Sequence, residues 1–111
     1  MADAILLAIS TFPDAETAQR IARQLVTEKL AACANLTPAV QSIYAWKGQI
    51  EEASETMVFF KTTEERFSEF RARLQSLHPY EVPEIVALRV SDGLPGYLRW
   101  VEESCAPSVH S

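Results

Sequence analysis

Residues 40–61 read VQSIYAWKGQIEEASETMVFFK, and the fold turns on this stretch. Val40, Tyr44 and Trp46 share one parity, and Ile43 and Ala45 the other. With β-branched and aromatic residues this dense, the pattern predicts a strand over 40–47. Gly48 and the polar residues through Ser54 read as a turn, and 55–61 (ETMVFFK) as a second strand. Two strands joined without room for a helix pair as an antiparallel hairpin, so a simple alternation of strand and helix is excluded.

Working outward, 4–10 (AILLAIS) is a short apolar run that reads as a buried strand. Asp14 follows as an N-cap, with Glu16 in the first turn. Ala18, Ile21, Ala22, Leu25 and Val26 then recur at helical spacing, predicting a helix over 15–29. Residues 32–36 lead through Pro38 into the hairpin. Beyond it, Thr62 with Glu65 three residues later reads as a capping box. Phe67, Phe70, Leu74 and Leu77 mark a second helix ending near His78. Pro79 and Pro83 drive the chain out of helical geometry. A fourth strand over 85–90 (IVALRV) and a short helix over 97–104 complete the chain.

The order β-α-β-β-α-β plus a final helix predicts an α+β, ferredoxin-like antiparallel sheet with two helices on one face. The chain reads as a single domain over 1–111, with 106–111 as a frayed tail that carries His110. Two helices leave the second face of such a sheet open, yet the strands are not polar on either face. The first has Ile5, Leu7 and Ile9 against Leu6 and Ala8; the third has Met57 and Phe59 against Val58 and Phe60. The fourth has Val86, Leu88 and Val90 against Ile85 and Ala87. A monomer would expose a larger apolar patch than soluble proteins tolerate, so another subunit is the expected cover.

With 111 residues the chain can bury a real core without disulfides. Its 48% hydrophobic and 23% charged content exclude a disordered or low-complexity chain. The longest uncharged apolar run, 4–9, is far short of the roughly 20 residues of a membrane helix. No segment reads as a signal peptide, so the cytoplasm is the expected location. A net charge of −5 with scattered basic residues argues against nucleic acid. Of the two cysteines, Cys33 lies among alanines and reads as a buried core thiol, whereas Cys105 lies near the tail and reads as accessible.

In chain order, several blocks resemble the CutA family of divalent cation tolerance proteins. They are Pro13-Asp14, EKLAACAN at 28–35, SIYAWKG at 42–48 with Ile50, Lys61-Thr62, HPYEVPEI at 78–85, and YLRW at 97–100. Together they span about residues 4–101. The resemblance implies a ferredoxin-like subunit in a compact homotrimer like those of the PII signalling proteins. It further implies a link to copper tolerance, with copper binding in some members and no assigned enzymatic activity. Copper ligation in the family is associated with a cysteine ending the first strand and histidines beside the Pro-Tyr. Here those positions hold Ser10 and Leu77-His78, so only His78 carries over.

Two sets of candidate residues follow. His78, Glu81 and Glu84 combine imidazole and carboxylates, which suit Cu²⁺ bound weakly; alternatively His78 caps the second helix as a cation. Tyr44, Trp46, Lys61, Tyr80 and Trp100 could line an intersubunit cleft for a small anion or metabolite; alternatively Tyr44 and Trp46 pack against a neighbour. No nucleophile–base pair and no glycine-rich phosphate loop is visible, so the expectation is a binding protein and no enzyme. Metal-linked tolerance is the first reading, and a PII-like metabolite-binding module the alternative.

Overall fold

A computed structural model describes residues 4–107. Its elements are β1 (Ile5–Phe12), α1 (Ala15–Thr27), β2 (Cys33–Trp46), β3 (Gln49–Thr63), α2 (Glu64–Leu77), β4 (Val86–Arg89) and α3 (Pro95–Ser104). The four strands form one antiparallel sheet in the order β2-β3-β1-β4. This is the α+β arrangement expected from the sequence. The tail residues 108–111, His110 among them, lie outside the described residues.

The hairpin is longer and its turn tighter than the polar composition of 48–54 suggested. Lys47 and Gly48 both adopt positive φ, 50° and 79°. Together they make a two-residue connection whose twist matches the flanking strands. Pairing therefore starts at once, Trp46 opposite Gln49 and Tyr44 opposite Glu51, and runs down to Cys33 opposite Lys61. Cross-strand pairing overrides the weak strand preference of Glu51 and Glu52.

One irregularity interrupts the ladder. Leu36 pairs with Val58, but Ala39 pairs with Thr56, so β2 carries one extra residue around Pro38. Proline has no N–H to give a ladder bond, which confines it to such a bulge. Thr37 supplies the missing contacts: its Oγ1 donates to the Met57 carbonyl at 2.9 Å and accepts from the Met57 N–H at 3.3 Å.

Asp14 caps α1 as expected, accepting the Thr17 N–H at 2.8 Å. The cap of α2 is Thr63, one residue later than expected; its Oγ1 accepts the Arg66 N–H at 3.2 Å. Thr62 is drawn elsewhere, donating to the Leu30 carbonyl at 2.6 Å. Helix α1 ends two residues earlier than expected because Lys29 turns left-handed (φ 62°).

Both helices pack on one sheet face. Ala8, Phe12, Val58 and Phe60 from the strands meet Ile21 and Leu25 of α1 and Phe70 and Leu74 of α2, all at most 1% exposed. Burial of these side chains is the main stabilising term. The other face holds a small second cluster where α3 brings Val101 and Cys105 onto Ile5 and Ala32. Beyond the reach of α3 that face is open, and Val86, Leu88 and Val90 are exposed.

Docking of α3 exchanges the roles expected for the cysteines. Cys105 is 1% exposed, whereas Cys33 is only half-buried, with its sulfur 3.6 Å from the Tyr97 hydroxyl. On β2, Cys33 has the parity opposite to that of the core residues Ala34 and Leu36, so it faces away from the helices.

Candidate cleft at the base of the hairpin

The segment between α2 and β4 folds back over the open-face side of the hairpin. At its root His78 ends α2, its own N–H reaching the Leu74 carbonyl at 2.9 Å. Its side chain is 8% exposed and stacks on Phe12 with centroids 4.6 Å apart. Nδ1 accepts the Tyr80 N–H at 3.1 Å, which assigns the proton to Nε2, and Nε2 donates to the Thr11 carbonyl at 2.8 Å. Burial pushes the imidazole below its ordinary pKa of 6.5, against smaller opposing pulls from the Thr11 carbonyl and the Glu55 carboxylate. His78 is thus held neutral as a bridge between β1 and the loop. This corrects the expectation of a cationic cap, and both ring nitrogens are occupied by protein.

The bridge sets the position of Tyr80. Its hydroxyl donates to Glu55 Oε2 at 2.6 Å, and its ring lies 4.9 Å from His78. Glu55 is itself 8% exposed. Burial first, then the hydrogen bond to Glu55 and its charge, raise the Tyr80 phenol far above its ordinary value. Tyr80 therefore stays a neutral donor to Glu55 at the wall of the cleft.

Between hairpin and loop lies an open cleft of about 680 Å³. Tyr44, Trp46 and Tyr80 give it aromatic walls, and Glu55, Glu81 and Glu84 give it carboxylates. The candidates from the sequence thus divide. Tyr44, Trp46, Tyr80, Glu81 and Glu84 line this cleft; His78 lies behind Tyr80 and is not part of the lining. Lys61 is elsewhere, opposite Leu7 and Cys33 on the sheet, with its ammonium on the Asn35 side-chain carbonyl. Trp100 packs 5.6 Å from Tyr97 on α3 and is likewise outside the lining.

Nor are His78, Glu81 and Glu84 assembled as ligands. Among the described residues no group of three or more His, Cys, Asp or Glu side chains is placed to hold a metal ion. Glu55 is not among the residues the sequence singles out. The signal for it was a carboxylate on the same parity as Met57 and Phe59, where a strand otherwise turns apolar residues to the open face.

The Cys33–Tyr97 contact joins α3 to the sheet. The Cys33 thiol beside Tyr97, and to a lesser degree burial, push the Tyr97 phenol up to about 12.

A four-stranded antiparallel sheet with paired helices on one face, a long projecting hairpin and an aromatic, acidic cleft at its base defines a ferredoxin-like α+β protein. The family model described as CutA1 divalent ion tolerance protein matches residues 6–104, and the chain belongs to that family. The divalent-cation tolerance protein CutA of Thermus thermophilus is 46% identical over 94 residues, covering 85% of this chain and 91% of the relative. The human protein CutA is 45% identical over 96 residues, and there the match spans only 54% of the relative's length. Among solved structures, CutA1 from Oryza sativa superposes with a TM-score of 0.92 at 32% identity, covering 96% of this chain and 98% of the other. That of Thermus thermophilus gives 0.90 at 42% identity, covering 92% and 99%. A relative from Archaeoglobus fulgidus is described as periplasmic. No helix among the described residues of the present chain is long and apolar enough to cross a membrane.

Proposed function

We propose that the chain serves divalent-cation tolerance as a homotrimeric binding protein and not as an enzyme. The observation that carries this reading is the open sheet face. Val86 at 48% and Leu88 at 57% exposure stand beside the half-buried Leu7, Ile9 and Phe59, beyond the reach of α3. Apolar surface of this extent on a sheet is stabilised by a second sheet packed against it. The family resemblance supplies the number three. In a trimer the hairpins, and the cleft at their base, lie near neighbouring subunits.

Copper enters this reading only weakly. The residues of one chain do not fit a tight site: His78 has both nitrogens engaged, and Ser10 offers no thiolate. Binding proceeds through the carboxylates of Glu81 and Glu84 or not at all. Tolerance in that case rests on the cleft and its ligand.

Light scattering at micromolar concentration tests the assembly; a mass of about three times 12.4 kDa is expected. A stable monomer would overturn it. Calorimetric titration with Cu²⁺ tests the metal part, with weak binding expected. Nanomolar affinity, lost in His78→Ala, would show that the imidazole leaves its hydrogen bonds to ligate.

A further inference from the structure

We propose that the cleft at the base of the hairpin takes a small organic cation, an ammonium or guanidinium group on a short apolar body. This rests on reading the cleft as a ligand site, and it settles the sign of the ligand's charge.

The lining decides the sign. Three aromatic residues, Tyr44, Trp46 and Tyr80, belong to the lining, and the π face of an aromatic ring carries a quadrupole that attracts cations. Three carboxylates, Glu55, Glu81 and Glu84, stand among them, and no Lys, Arg or His belongs to the lining. An anion placed here would meet three carboxylates with no cation in the lining itself to offset them. The sequence suggested an anion because it grouped Lys61 with the aromatic residues, and Lys61 is bound to Asn35 outside the cleft.

The chain itself shows how the rings behave. The Lys47 ammonium lies 5.7 Å from the centroid of Trp46, within the range of a cation–π contact. Burial first, then Glu55 and to a smaller degree Asp14, hold the Tyr80 phenol protonated.

Geometry separates an organic cation from a bare metal ion. Divalent ions require several ligand atoms converging at roughly 2.0–2.6 Å. The described residues hold no such cluster. An organic cation needs only carboxylates and rings spaced around a body of several atoms, with ring centroids within about 6 Å. A volume of about 680 Å³ suits that size.

The test compares two probes of matched length on the intact oligomer, 1,4-diaminobutane and succinate, by calorimetry. The diamine is expected to bind and succinate not. The double variant Glu81→Gln/Glu84→Gln should weaken the diamine at least tenfold. Trp46→Leu should weaken it with unchanged circular dichroism and light scattering. Succinate binding as well as or better than the diamine would overturn the assignment of charge while leaving the cleft a ligand site. Binding of neither probe would remove the cleft as a ligand site altogether. Diamine affinity unchanged in both variants would place that ligand elsewhere and overturn the proposal. Cu²⁺ or Mg²⁺ binding that excludes the diamine and is lost in the double variant would make the cleft a metal site instead.

Discussion

Replacing His78 by alanine tests the central contact of the cleft. The imidazole joins the Thr11 carbonyl at 2.8 Å to the Tyr80 N–H at 3.1 Å and stacks on Phe12, at 8% exposure. Alanine leaves an acceptor and a donor without these partners, each worth about 1–3 kcal/mol if it stays dry, so a loss of about 2–6 kcal/mol is expected. His78→Gln should recover part of this, because its amide can reach toward Thr11. The pH dependence carries a separate signature. Burial holds the folded-state pKa below 6.5, so the unfolded chain binds more protons once the pH falls below that value. The neutral imidazole thus contributes stability that is complete above pH 6.5 and is lost as the pH falls toward the lowered folded value. Urea unfolding at fixed chain concentration, followed by circular dichroism between pH 8 and 5, measures both effects. The wild type should lose stability below pH 6.5 along a slope that His78→Ala flattens. An unchanged slope in the variant, or a loss under about 0.5 kcal/mol, is what a merely exposed histidine would give and would refute the bridge.

Three further outcomes are expected. A thiol reagent should modify Cys33 in the native protein and Cys105 only on unfolding, since they are half-buried and 1% exposed; the reverse order would show that α3 does not dock as described. Leu88→Asp should lower the mass seen by light scattering, because a charge sealed in an apolar interface costs several kcal/mol; an intact trimer would place the interface elsewhere. Gly48→Ala should destabilise the hairpin by about 1–2 kcal/mol through its φ of 79° alone, since a Cβ there meets nothing within 4 Å; denaturant midpoints compared at equal concentration would detect it, and an unshifted midpoint would contradict the positive φ.

Much of the architecture could be read from periodicity, because helix and strand repeats differ whether or not the face they mark is buried within one chain. Ile21 and Leu25 predict α1, and the alternation of Tyr44 and Trp46 with Ile43 and Ala45 predicts the hairpin. What eluded reading depended on partners distant in sequence. Cys105 is buried because α3 returns to Ile5, a contact no local pattern carries. Thr62 loses the capping role to Thr63 because Leu30, 32 residues away, claims its hydroxyl. In the cleft the aromatic residues stood out by composition. Glu55 did not, since its meaning comes from Tyr80, 25 residues on. His78 was conspicuous for its chemistry, yet its surroundings, Phe12 and the Thr11 carbonyl, belong to β1.

The extra residue of β2 near Pro38 acts as a shift of reading frame for the strand. Before it, even-numbered residues such as Ala34 and Leu36 face the helices. After it, the odd-numbered residues from Ala39 to Ala45 share the face of Thr56, and Tyr44 and Trp46 pass to the side of Glu55. Deleting Thr37 would remove the extra residue and leave a regular ladder, with Leu36 still opposite Val58, Ala39 still opposite Thr56 and Tyr44 still opposite Glu51. Both aromatic side chains would keep their side of the sheet. The bulge is therefore a place where β2 can lose a residue while cross-strand pairing holds the cleft lining in register, and what changes there is the local bend and twist of the hairpin.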